Sequence, residues 1–156
     1  MKNRATAQLA QRILPPAEQQ AEDFGSVREA HRMETSEDYV ELIDDLIKTI
    51  GEARLVDVAE RMGISQPSAG KTIARLQRDG LVTSQPYRSI FLTDEGKQLA
   101  NYCRQRHDTV YGFLIALGVS EKIAKRDSEG VEHHVSKETL AAFERFMRSQ
   151  DQSPAG

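Results

Sequence analysis

From Thr35 onward apolar side chains recur at Tyr39, Leu42, Ile43, Leu46, Ile47 and Ile50, the i, i+3, i+4, i+7 spacing of one helical stripe. Thr35 with Asp38 fits a capping box at the start of this helix, and Gly51 stops it. A shorter helix follows, with Leu55, Val58, Ala59 and Met62 on one face and Gly63 as its terminator. Ser65 opens a third helix with Pro67 in its first turn, where the missing N–H costs little. Ala69, Ile73 and Leu76 form its inward face, Gly70 weakens its interior, and Gly80 ends it. Leu81-Val82-Thr83 and Ser89-Ile90-Phe91-Leu92 then read as short strands joined by the hairpin Ser84-Gln85-Pro86-Tyr87-Arg88.

Thr93 caps a long helix to about Leu117, with Leu99, Tyr102, Val110, Phe113, Leu114 and Leu117 as its stripe, Cys103 as a core position, and Gly118 closing it. Two more helices are expected over about 120–134 and 137–149. Residues 1–34 are polar, broken at Pro15-Pro16, and read as a flexible arm that is helical at most after residue 17. The expected fold class is mainly α. A winged helix-turn-helix domain over 35–93 precedes an all-helical domain over 94–150 and a disordered tail over 151–156.

Composition changes the picture in two places. The chain of 156 residues has 21 basic and 24 acidic side chains, a net charge of −3 that by itself argues against nucleic acid. The average conceals a division: residues 36–60 carry 2 basic and 8 acidic side chains, whereas 61–92 carry 5 basic side chains against Asp79 alone. An acidic block beside a basic one suits two ligands of opposite sign, or simply two solvated faces. The single Cys103 excludes a disulfide framework within the chain and fits a reducing compartment. No apolar run approaches the roughly 18 residues of a membrane span, and the N-terminus lacks a secretory signal, so a soluble cytoplasmic protein with no membrane partner is expected.

The basic block coincides with the helix-turn-helix. At ~100° per residue Lys71, Arg75 and Arg78 lie roughly opposite the inward face of the third helix, so all three are expected to point outward toward phosphates. Gln66, Ser68 and Thr72, with Pro67 setting the first turn, are placed for base edges, and Arg88 at the hairpin tip for the backbone or minor groove.

The acidic block carries a second constellation. Asp38 and Glu41 share a face of the first helix, with Asp45 nearby, and Glu129, Glu132 and His133 stand at i, i+3 and i+4 on a later one. With His107 between them these faces would enclose a divalent cation in oxygen and nitrogen donors without sulfur, a set that suits manganese and other fairly hard ions. The same residues have plainer readings: Asp38 as a cap, Glu129 and Glu132 paired with Lys125 or Arg126, and His133 and His134 as surface histidines. His134 is turned from His133, so one ion would not take both. No His-Glu-x-x-His, P-loop or nucleophile elbow is present, and an enzyme is not expected.

Together the two constellations resemble the diphtheria-toxin-repressor family of metal-dependent repressors, in its manganese-responsive branch. The resemblance covers about residues 28–147 and rests on Ser36-Glu37-Asp38-Tyr39-Val40-Glu41, Arg106-His107 and Glu129-Gly130-Val131-Glu132-His133-His134-Val135-Ser136. It implies that Asp38, Glu41, His107, Glu129, Glu132 and His133 bind a pair of manganese ions in each subunit. It also implies a homodimer built through residues beyond about 98, which binds palindromic operator DNA and represses uptake genes. Iron-responsive relatives present methionine and cysteine where this chain has Asp38 and Glu129. An iron-responsive or other ligand-sensing winged-helix regulator is one alternative, and a dinuclear metalloenzyme another. The arm before the first motif is longer than in compact family members.

Overall fold

The computed structural model describes residues 14–151. Its elements are helices α1 (Ala17–Ile50), α2 (Leu55–Met62) and α3 (Gln66–Arg78), strands β1 (Val82–Thr83) and β2 (Phe91–Leu92), and helices α4 (Asp94–Ala116), α5 (Glu121–Val131) and α6 (Lys137–Asp151). A 3-10 turn, Glu132–His134, follows α5 directly. No helix among the described residues is long and apolar enough to cross a membrane.

The first departure from expectation is the length of α1. It runs unbroken for 34 residues, roughly 50 Å at the rise of an α-helix, straight through the boundary expected at residue 35. The capping box at Thr35 is therefore not formed; the Thr35 hydroxyl donates to the His31 carbonyl at 3.1 Å inside the helix. The helix begins instead after Pro16, whose φ of −52° and ψ of 145° lie outside the helical region. The arm expected over 1–34 is thus helical from Ala17; residues 1–13 and 152–156 lie outside the described residues.

Local signals further along act as expected. Gly51 and Gly63 adopt left-handed conformations, with φ of 92° and 67°, that close α1 and α2. Ser65 Oγ accepts from the Ser68 amide at 3.3 Å to start α3 beside Pro67, and Thr93 Oγ1 accepts from the Gly96 amide at 3.1 Å to start α4. The strands pair antiparallel as Val82 with Leu92 and Thr83 with Phe91. Ile90 adds a bridge to Ala53, which ties the wing to the α1–α2 connection.

One core fills this N-terminal unit: Tyr39, Val40, Ile43 and Leu46 of α1 against Val58, Ile73, Leu76, Val82, Ile90, Leu92 and Ala100. On α4 the buried positions are small ones, Gly96, Ala100 and Cys103, followed by Arg106 and Val110. Tyr102 and Leu117, expected in its stripe, are exposed. A Cβ at Gly96 would overlap the Leu81 carbonyl, so glycine is what lets α4 start against the wing. Phe113 stacks on Phe143 with ring centroids 3.9 Å apart and meets Phe146 edge-on, joining α6 to α4. Helix α1 packs on both α4 and the 3-10 turn as well as on α2 and β2, so it belongs to the winged unit and to the helical unit at once.

Candidate metal centre and nucleic-acid face

The acidic face of α1 meets the 3-10 turn and α4 where the sequence motifs converge. Helix α5 ends at Val131, so Glu132 and His133 do not continue the α-helix that carries Glu129, as the i, i+3, i+4 spacing implied. The tighter 3-10 turn brings them inward: Glu132 and the His133 side chain are almost fully buried. Two donor groups result. His107, Glu129 and Glu132 form one, and Asp38 and His133 form the other with Glu34, the donors of each lying within 4.8 Å of one another.

The contacts within and between these groups are short. His107 Nδ1 lies 2.5 Å from Glu132 Oε2. His133 Nε2 lies 3.2 Å from Asp38 Oδ1 and 3.6 Å from Glu132 Oε1. Glu41 completes the cluster electrostatically: burial, then the neighbouring charge of Glu132, and also Asp38, push its carboxyl up to about 7 against the pull of Arg104 and His133. Five of the six sequence-predicted donors thus fall in these two groups, and Glu41 is coupled to them through its charge. Asp45 is not among them; its carboxylate pairs with Arg104 at 2.6 Å, beside the Arg104–Asp44 pair at 2.9 Å. No pairing of Glu129 or Glu132 with Lys125 or Arg126 occurs among the described residues, where Arg126 pairs with Asp127.

Two residues that sequence reasoning did not single out hold this arrangement. Glu37 is buried on the α1 face beneath Asp38 and accepts from Arg106 Nη1 at 3.2 Å and Nη2 at 2.6 Å. The His133 Nδ1–H donates to the same carboxylate at 2.7 Å, which fixes the ring and turns Nε2 toward Asp38. Burial alone would lower the His133 pKa, but hydrogen bonds to Asp38 and Glu37 outweigh it and push it up to about 10. A protonated His133 therefore serves as the counter-charge among the carboxylates when no other cation is present. The signal for Glu37 was a charged residue on the apolar side of α1, matched by the cation Arg106 next to His107. Glu34, one turn earlier on α1, was also missed because it fell in the expected arm.

The α2–α3 unit presents the other face. Gln66, Pro67, Ser68 and Lys71 are exposed along the start of α3, Thr72 is half-buried, and Arg78 and the wing residue Arg88 are exposed. Tyr87 at the wing tip is fully exposed with φ of 60°, an uncommon conformation for a side-chain-bearing residue. Arg75 departs from expectation. It does not point outward with Lys71 and Arg78 but donates to Ser36 Oγ at 3.0 Å, drawn to α1 by the acceptor beside Glu37. Asp79 at the end of α3 reaches the same helix through Arg32 at 3.5 Å. Helices α3 and α1 are therefore hydrogen-bonded directly, one residue away from Glu37.

Residues 31–90 match the model for the iron dependent repressor N-terminal DNA binding domain, and residues 93–156 that for the iron dependent repressor metal binding and dimerisation domain. The chain is 52% identical over 150 residues to the transcriptional regulator MntR of Escherichia coli O6:H1, covering 95% of this chain and 97% of that one. It is 53% identical over 136 residues to MntR of Salmonella typhimurium, covering 87% of each. Among solved structures, a manganese-dependent transcriptional repressor complex with manganese superposes with a TM-score of 0.65 at 27% identity, over 72% of this chain and 53% of that one. The manganese regulator SloR superposes with a TM-score of 0.63 at 24% identity, again over 72% of this chain and 53% of that one, which supports the fold. The chain thus spans about half the length of these solved regulators. The sequence relatives are transcriptional regulators, which weighs against the alternative of a dinuclear metalloenzyme.

Proposed function

Because the chain belongs to the iron-dependent repressor family and is a metal-dependent transcriptional repressor, we propose that manganese is its signal and that two ions bind each subunit. In this reading a manganese-loaded homodimer binds a palindromic operator and represses manganese uptake genes in the cytoplasm. The observation that carries it is the donor set: four carboxylates and two imidazoles, from Asp38, Glu41, His107, Glu129, Glu132 and His133, converge without sulfur where α1 meets α4 and the 3-10 turn. Hard oxygen donors in this proportion fit manganese better than ions selected by thiolate or thioether. The name MntR carried by relatives that match most of the chain points the same way.

The switch follows from charge. Asp38, Glu41, Glu129 and Glu132 lie around one cleft, and the Glu41 pKa is raised by burial first and then by the charges of Glu132 and Asp38. When bound, two divalent ions supply four positive charges to that cleft. The chain gives up the His133 Nε2 proton and the fraction of a proton held by Glu41, so affinity rises with pH. Glu37 keeps the His133 ring oriented throughout. Drawing α1 onto α4 and the turn sets the position of α3, because Arg75 and Ser36 link the two helices. In a dimer this fixes the spacing of the recognition helices near one turn of DNA, ~34 Å. Gln66, Ser68 and Thr72 then read base edges, with Pro67 fixing the helix start, while Lys71, Arg78 and Arg88 hold phosphates.

The test uses an operator selected from a random duplex library by the manganese-loaded chain, with binding followed by fluorescence anisotropy. Manganese is expected to tighten binding at least tenfold, more than zinc, cobalt or ferrous iron do at equal occupancy. Alanine at His107 or Glu132 should abolish the response. An undiminished response in those two variants contradicts the proposal.

A further inference from the structure

We propose that His31, Glu34 and His134 form a further divalent-ion site, adjoining the six-donor centre and suited to imidazole-preferring ions of the zinc, cobalt and nickel class. His31 and Glu34 are three apart on α1, in the stretch expected to be an arm, flexible or partly helical, that is continuous helix here. His134 comes from the 3-10 turn after α5. Consecutive residues of that turn face different ways: His133 reaches Asp38 and Glu37, while His134 Nε2 reaches Glu34 Oε2 at 3.4 Å. The His31 and His134 rings meet edge-on with centroids 5.9 Å apart. One donor atom from each of the three residues lies within 4.8 Å of the other two.

Donors bound at ~2.1 Å to one ion stand about 3–4 Å apart, so closure needs only small rotations of these side chains. His31 and His134 are exposed and Glu34 is half-buried, which leaves open positions for water and costs little desolvation. Two imidazoles with one carboxylate favour zinc, cobalt and nickel over manganese along the usual affinity order, whereas the carboxylate-rich centre favours harder ions. Glu34 joins the sites, since it also lies within 4.8 Å of the Asp38 and His133 donors. An ion held by His31 and His134 would draw Glu34 away from that pair and clamp the N-terminal extension of α1 to the turn before α6. Metals of two classes would then act on one contact, with linkage running both ways.

The test is equilibrium dialysis of the full chain with cobalt or zinc, read by elemental analysis and, for cobalt, by its visible spectrum. The parent chain is expected to bind one more cobalt or zinc per subunit than either His31→Gln or His134→Gln, with an accompanying loss of cobalt absorbance. Manganese stoichiometry by electron paramagnetic resonance should be the same in all three. His107→Ala should lose ions from the six-donor centre yet retain the extra cobalt, so a failure of the manganese reading is distinguishable from a failure of this one. Both histidines lie at the surface, and thermal unfolding in chelator confirms that each variant folds. Equal cobalt uptake by the parent chain and both glutamine variants overturns the proposal.

Discussion

Replacing Glu41 by glutamine should stabilise the metal-free protein at pH 8 and weaken it when manganese is present. The Glu41 carboxyl is held near 7 rather than its ordinary 4.5, chiefly by burial and then by the charge of Glu132. A group whose pKa is raised on folding favours the fold below its unfolded value and loses that contribution as pH rises through its folded value. Ionised Glu41 therefore opposes folding increasingly between about pH 4.5 and 7. Fully shielded, the difference would amount to ~3 kcal/mol at pH 8; Glu41 is only half-buried, and solvent screening reduces it to about 1–2 kcal/mol. Urea unfolding of chelator-treated protein, at one protein concentration, should show Glu41→Gln more stable by that amount at pH 8 and equal to the parent at pH 4.5. With saturating manganese the order should reverse, because the variant lacks a donor. A metal-free variant that is less stable than the parent at pH 8 would refute the crowded-carboxylate account.

Glu37→Gln keeps the side-chain shape but removes the charge shared by Arg106 and His133; manganese affinity should fall about 10–100-fold by calorimetry, with circular dichroism unchanged. Arg78→Ala should weaken binding to every duplex alike and reduce the logarithmic salt slope by about 1. Arg75→Ala should leave that slope intact and instead lower the manganese-induced gain in affinity, because its partner is Ser36 on α1. Gly96→Ala should cost ~1–3 kcal/mol in thermal unfolding because a Cβ there overlaps the Leu81 carbonyl. Gly70→Ala, where the Cβ meets only Leu55 Cδ2 at 3.7 Å, should be neutral or stabilising by up to ~1 kcal/mol.

What was legible in the sequence and what was not follows from the range of each interaction. Caps and terminators are local, so Gly51, Gly63, Ser65 and Thr93 end or start their helices as their types dictate. Thr35 carried the same kind of signal and misled. Between Ala17 and Glu34 there is no proline and one glycine, Gly25, and strong formers such as Ala, Glu, Gln, Arg and Met dominate, so the helix continues and the hydroxyl turns back to His31. On α4 the search for large apolar residues selected Tyr102 and Leu117, which this single chain leaves exposed, while close packing against α1 and the wing is made by Gly96, Ala100 and Cys103. The nearness of Glu129 to Glu132 and of His133 to Asp38 was legible because their spacing survives the change from α-helix to 3-10 turn at Val131. The Glu37–Arg106 pair was not, because it joins residues 69 positions apart and a buried charge has no periodic signature. Arg75 illustrates the same limit: its helical angle was right to first order, yet a long side chain reached back to Ser36.

The central claim is that the acidic centre and the DNA face share one free energy. Titrating manganese into the full chain by calorimetry, with and without saturating operator duplex, tests it directly when paired with operator affinity measured with and without manganese. Linkage requires the same factor in both directions, and the account predicts at least tenfold. Manganese affinity that is unchanged by operator, in a protein that binds both, would contradict it.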